Sequence, residues 1–275
     1  MADETSTHKA PERQGGDDLP PTADQSAGAH SLQVHGDRVQ LGEWSGDLME
    51  LIGKSQELRE LMRDGRRGDA SALVQRQSVE EQAALVAIDE NPEEILSLTG
   101  MDARGRPGYL PAVVDRLPTE ILAGLVQPQN AKFIRFNTEV LQTMSPETFE
   151  RAVDETLDPV YYHGNRGAVS WEWLEAVAAL GDHNKAAELL FRVDESILED
   201  ALLERVDDFD MHARVASGDG TISAFRVLSE SSSAIMLPPM TDPEAAETIR
   251  ALHAAAPELL AKVVRNAWER AGAIR

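Results

Sequence analysis

Apolar residues that recur at steps of three and four, in segment after segment, constrain this chain more than any other feature. That spacing lines side chains along one stripe of an α-helix, whereas a half-buried strand needs strict alternation. The stripe is clearest at the end of the chain. Leu259, Leu260, Val263, Val264, Ala267, Trp268 and Ala271 make one face, with Gly272 at its close. Near the start, Trp44, Leu48, Leu51, Ile52, Leu58, Leu61 and Met62 follow the same steps, and Gly65 and Gly68 end the run. No alternation is read as a strand. The expectation is an all-α fold: an array of short antiparallel helices, repeat-like or superhelical, with strand content near nil.

The punctuation between stripes supports this reading. Ser78 with Glu81 forms a capping box, and Asn91-Pro92-Glu93-Glu94 supplies a cap, a proline whose missing N–H costs nothing in a first turn, and acids that favour the helix dipole. Ser145-Pro146-Glu147 and Asp242-Pro243-Glu244 repeat that grammar, while Pro118 and Pro257 open helices without the polar cap. Ser170 reads as the cap of a helix from Trp171 to Leu180, stopped by Gly181. Two more helices follow, Ala186 to Val193 and Ile197 to Val206, parted by Asp194. Short connections put consecutive helices side by side and antiparallel. Pro92-Glu93-Glu94-Ile95-Leu96 matches Pro118-Thr119-Glu120-Ile121-Leu122, and Pro146 follows with Phe149 at the apolar position. A recurrence at this interval suggests stacked helical units, although Pro-Glu is also a common way to open any helix.

Two stretches lack the stripe. Residues 1–38 hold Gly15-Gly16-Asp17-Asp18 and Pro20-Pro21 among polar residues, too little apolar surface to offset ordering entropy, so they are expected to be a disordered tail before a helical domain at 39–275. Residues 207–241 carry Gly218-Asp219-Gly220, Ser231-Ser232-Ser233 and Pro238-Pro239. They read as an irregular connection, with a short helix around Ile222 to Leu228.

Charge narrows the range of partners. The 26 Lys and Arg face 48 Asp and Glu, a net charge of −22, which repels the phosphates of nucleic acid and anionic membranes and favours a basic protein surface. No run reaches the roughly 18 apolar residues of a membrane span, and Met1-Ala2-Asp3-Glu4-Thr5 does not open a secretory signal. With no cysteine, thiolate ligands, disulfides and cysteine nucleophiles are excluded, which fits a reducing, cytoplasmic setting.

From Ser145 to His212 the order of features resembles an uncharacterised family of bacterial, leucine-rich helical proteins, a domain of unknown function. A Ser-Pro-Glu helix start precedes an acidic turn (Asp154, Asp158). Then come Trp171-Glu172-Trp173-Leu174-Glu175, a Leu189-Leu190 helix, Asp194 before Leu202-Leu203, and Val206-Asp207-Asp208-Phe209-Asp210. The family's later arginine-rich segment has no counterpart here. A weaker likeness is to the cytosolic helical domains of magnesium channels and to flagellar switch proteins. These resemblances imply stacked leucine-rich helices and carry no catalytic residue.

The densest chemical cluster is Tyr161, Tyr162, His163, Trp171 and Trp173 around Gly164-Asn165-Arg166-Gly167. Backbone N–H groups and one arginine could hold an anion, and the rings could grip a partner. The plain alternative is a loop pinned by a local aromatic core. Trp171 and Trp173 stand about 200° apart on a helix, so one ring is expected inward and the other outward. Tyr162, His163, Arg166, Trp171 and Trp173 are therefore the candidate partner- or ligand-binding residues. Asp207, Asp208, Asp210 and His212 offer oxygen ligands without the spacing of a calcium loop, so no metal site is assigned. The seven histidines contain no His-x-x-x-His pair, and neither Gly-x-Ser-x-Gly nor a phosphate loop occurs. No catalytic residue and no cofactor is assigned. The reading is a non-enzymatic protein-interaction or scaffold module, with a small-molecule or divalent-ion sensor as the alternative and an enzyme behind both.

Overall fold

The computed structural model describes residues 31–126, 137–157, 166–205, 225–227, 235–237 and 241–274; for 225–227, 235–237, 268 and 272–274 it describes the backbone alone. Thirteen helices account for most of the described residues.

The chain nevertheless begins in strands. β1 (Leu32–His35), β2 (Arg38–Leu41) and β3 (Trp44–Asp47) form an antiparallel meander in the order β1-β2-β3. His35 pairs with Arg38 and Leu41 with Trp44, leaving two-residue turns at Gly36-Asp37 and Gly42-Glu43. Gly36 and Gly42 have φ of 65° and 58°, and no non-glycine residue has positive φ among those described. Glycine at the first turn position alone gives the II′ geometry, whose twist matches that of paired strands. Val39 and Leu41 face the core while Arg38 and Gln40 face solvent. Three expectations change. Residues 31–38 belong to the folded body, strand content is not nil, and Trp44 sits in a strand rather than on the first helix. Residues 1–30 lie outside the described residues.

Asp47 then caps α1 (Leu48–Arg63), its carboxylate accepting the Glu50 N–H at 2.9 Å. α2 (Arg67–Gln75), α3 (Val79–Ile88), α4 (Pro92–Thr99), α5 (Pro111–Val114), α6 (Thr119–Val126), α7 (Thr138–Thr143) and α8 (Pro146–Thr156) follow. After them come α9 (Arg166–Ala178), α10 (His183–Leu190), α11 (Glu195–Glu204), α12 (Pro243–Ala255) and α13 (Pro257–Ile274). Odd-numbered helices pack side by side from α1 to α13, and even-numbered ones from α2 to α12. Each layer rests on the other through pairs such as α3 with α4, α6 with α7 and α12 with α13. The result is a two-layer array. The segments at Pro92, Pro118 and Pro146 that recur in the sequence supply α4, α6 and α8, consecutive neighbours in the even layer. β3 contacts α1 and α3, so the meander lies against one end.

Most of the cap chemistry is as read. The Ser78, Ser145 and Asp242 side chains each accept a first-turn N–H, and Asp194, read only as the break between two helices, does the same. Asn91 makes no such bond; its own N–H goes instead to Asp89 Oδ1 at 2.9 Å. Glu81 turns to Lys54 on α1. Ser170 is interior to α9, buried, its hydroxyl donating to the Arg166 carbonyl at 2.9 Å. Gly272 lies inside α13 rather than past its end. In the stretch read as an irregular connection, β4 (Phe225–Val227) pairs antiparallel with β5 (Ile235–Leu237), which replaces the short helix expected there. Leu260, Val263, Val264 and Ala267 of the last stripe are buried; the Trp268 side chain lies outside the described residues.

Candidate functional site

Of the five residues singled out in the sequence, Tyr162 and His163 lie outside the described residues. Of the other three, both tryptophans are buried and Arg166 is exposed. Trp171 and Trp173 are each 2% exposed, so neither ring points outward. The reason is the place of α9, which packs against α7, α8, α10, α11 and α12 and is covered on both tryptophan faces, with its narrow exposed stripe on the Glu172 side. Trp173 donates its Nε1–H to Thr156 Oγ1 at 2.9 Å and meets Phe149 edge-on, with ring centroids 5.4 Å apart. Trp171 donates to Glu175 Oε1 at 2.6 Å, and the Arg205 guanidinium sits 5.1 Å over its ring. Arg205 reaches Glu175 at 3.9 Å and Asp242 at 3.8 Å, which ties α9, α11 and α12 together. Burial raises the Glu175 carboxyl above its usual range. Asp242 and Glu244 push the same way, against the Trp171 N–H and Arg205. Arg166 is 54% exposed and pairs with Asp200 at 3.4 Å; Arg270 of α13 shares that carboxylate at 2.8 Å. Asp207, Asp208, Asp210 and His212 lie outside the described residues. Among those described, no three His, Cys, Asp or Glu gather as metal ligands.

A different feature is open to solvent. A cleft of about 710 Å³ lies along the even layer, between α4 and α6 and bounded by Arg67, Tyr109 and Glu139. Glu90, Glu93, Glu94, Glu120 and Glu139 line it, and Pro92, Ile121, Leu125 and Tyr109 supply apolar surface. Tyr109 and Glu139 also line a second cleft of about 610 Å³ that runs on past Gln142 to Gly181 and Asp182. The two clefts adjoin at Tyr109 and Glu139.

Local chemistry builds it. The loop after α4 folds back on itself: Gly100 N–H donates to Gly108 O at 3.1 Å, and Gly108 N–H to Ser97 O at 3.1 Å. A β-carbon on Gly108 would stand 2.7 Å from the Gly100 carbonyl oxygen, so only glycine permits this approach. Asp102 closes the loop tip by accepting the Arg104 and Arg106 N–H groups and the Arg106 side chain, and these bonds hold its carboxyl below the usual range. Tyr109 is thereby laid beside the helices. Asn137 caps α7 with its Oδ1, while its Nδ2 donates to Glu93 Oε1 at 3.1 Å and Tyr109 OH at 3.4 Å. Burial raises the Tyr109 phenol, and the Glu93 and Glu139 charges add to that rise against the Asn137 hydrogen bond.

The acids are unevenly matched. Glu90 meets Arg59 at 3.2 Å and Glu94 meets Arg67 at 3.9 Å. Among the described residues, no cation pairs with Glu120 or Glu139. Both are first-turn acids of their helices, Glu120 of α6 and Glu139 of α7. One signal could have found them: Glu94 and Glu120 hold the same place in the repeated Pro-x-Glu-Ile-Leu.

No helix among the described residues is long and apolar enough to cross a membrane. No family model, curated protein or solved structure matches the chain.

Proposed function

We propose that the chain is a non-enzymatic protein-interaction scaffold whose partner presents a basic surface. The observation that carries this reading is the acid-lined cleft along one layer of the helical array, with a second cleft adjoining it. Stacked short helices offer a long surface that a second polypeptide can follow. The excess of acids sets the sign of the partner by charge complementarity, and the same field repels phosphate backbones. The likeness of residues 145–212 to a leucine-rich helical family is compatible with this role and adds no chemistry to it. The experiment is cross-linking of the tagged full chain in native lysate, followed by mass spectrometry. A reproducible protein partner with basic residues at the cross-links is expected. Recovery of the chain alone, or of partners no more basic than the lysate average, refutes the reading.

A further inference from the structure

We infer that the groove between α4, α6 and α7 is a docking site for an extended segment of another protein, one that alternates arginine or lysine with apolar side chains. The inference rests on the scaffold reading and adds to it the place and the pattern recognised.

Three observations converge. The groove is concave, holds about 710 Å³ and adjoins the second cleft at Tyr109 and Glu139, so it has room for a strand-like segment rather than a single side chain. Its rim is carboxylate. Of the lining acids, Glu120 and Glu139 have no cationic partner among the described residues, while Glu93 is held by the neutral amide of Asn137. Its floor is apolar: Ile121, Leu125 and Tyr109 are half-buried, packed against the core on one side and open to the groove on the other.

Each part selects against a rival occupant. An apolar helix would leave the rim acids facing hydrocarbon, which costs charge solvation. A purely basic segment would leave Ile121 and Leu125 in water and gain only screened surface attraction. An extended chain turns successive side chains to opposite faces. Cations at every second position can meet the rim while apolar residues at the others reach the floor.

The test uses the full chain and fluorescein-labelled peptides of about 12 residues, spaced at about 3.3 Å each when extended. One alternates Arg with Leu, a second Arg with Ser, and a third Glu with Leu. Binding is read by fluorescence anisotropy at about 50 and 200 mM salt, which brackets the screening of surface charge. The Arg/Leu peptide should bind best, the Arg/Ser peptide several-fold more weakly, and the Glu/Leu peptide not at all. Glu120→Gln with Glu139→Gln should weaken the Arg/Leu peptide by about tenfold, as expected for two surface pairs in one site. The control is Glu244→Gln with Glu258→Gln. These are also exposed first-turn acids, away from the groove, and they remove the same charge. The control should change affinity less than twofold. Far-UV circular dichroism and melting confirm that both double variants fold.

Equal losses in the two double variants would mean general charge attraction and overturn the site. So would absence of binding to the wild-type chain, or equal affinity for the Arg/Leu and Arg/Ser peptides. A dimer of the chain that Glu120→Gln with Glu139→Gln dissociates would make the occupant a second copy, and that also overturns the proposal. A lysate partner retained by the groove variant defeats the groove and leaves the scaffold standing. Peptide binding through the groove with no protein partner in lysate does the reverse.

Discussion

Replacing Trp173 by alanine is expected to cost about 4 kcal/mol. An indole buries up to about 250 Å², which at about 25 cal/mol per Å² bounds the transfer term near 6 kcal/mol, while measured Trp→Ala changes run about 3–5. Trp173 is 2% exposed, so nearly the whole term applies. The edge-on contact with Phe149 disappears with it, and Thr156 Oγ1 loses a donor. Trp171→Ala is expected to cost a similar amount, because its ring is equally buried and carries Arg205 on its face. Thr156→Val should cost about 1–2 kcal/mol, since it leaves the Trp173 N–H in the interior with no acceptor. The assay is urea denaturation followed by far-UV circular dichroism. In thermal melts each tryptophan variant should fall by about 10 °C, given about 2–4 °C per kcal/mol for a chain this size. A single helical face predicts something else: one variant unstable, the other near wild type. If either alanine variant loses less than about 1 kcal/mol, the picture of α9 as a helix covered on both tryptophan faces is wrong.

Three further outcomes follow from particular contacts. The Glu175 carboxyl is raised by burial, so its folded pKa lies above its unfolded value and the native state holds the proton more tightly. That stability is full below the ordinary glutamate value near about 4.3 and is lost as pH rises through the folded value. Wild-type stability relative to Glu175→Gln should therefore fall as pH is raised from mildly acid to neutral; a flat difference across pH-series denaturation curves contradicts this. Ser145→Ala removes the acceptor of the Thr148 N–H at the start of α8 and should cost about 1 kcal/mol, measured by denaturant midpoint, whereas Ser145→Asp should not. Val39→Ala should cost about 2 kcal/mol if the strand meander belongs to the cooperative body, and an unchanged unfolding midpoint would show that it does not.

The helices were legible where their signal is local. A cap needs one oxygen within three residues of an N–H, so Ser78, Ser145 and Asp242 could be read without knowing what else the chain does. Asn91 shows the limit of that rule: its side chain accepts no first-turn N–H, and the Glu94 N–H turns to the Asn91 backbone carbonyl at 3.1 Å. The meander was also written in the chain. Leu32-Gln33-Val34-His35 and Arg38-Val39-Gln40-Leu41 alternate, and Gly36-Asp37 sits between them where a hairpin turn belongs. The polar residues before them hid it, since a boundary at residue 38 puts β1 with the polar tail and cuts the second run after Arg38.

The error over Trp171 and Trp173 has a different origin. The angle between two residues on a helix tells which faces they take, but not how many faces are covered. That number is set by neighbours, and α9 stands where consecutive odd helices meet three even ones. Aromatic density therefore marked the middle of the array rather than its surface. Acid density failed as a marker for the converse reason: with carboxylates on most helix openings, Glu120 and Glu139 differ from the rest only by what lies beside them. The helix openings of α6 and α7 flank the Tyr109 loop, and the Gly100–Gly108 approach is what brings that loop close. A binding groove assembled this way rests on two glycines and the spacing of helix starts. Its carboxylates look like ordinary first-turn acids until the array is built.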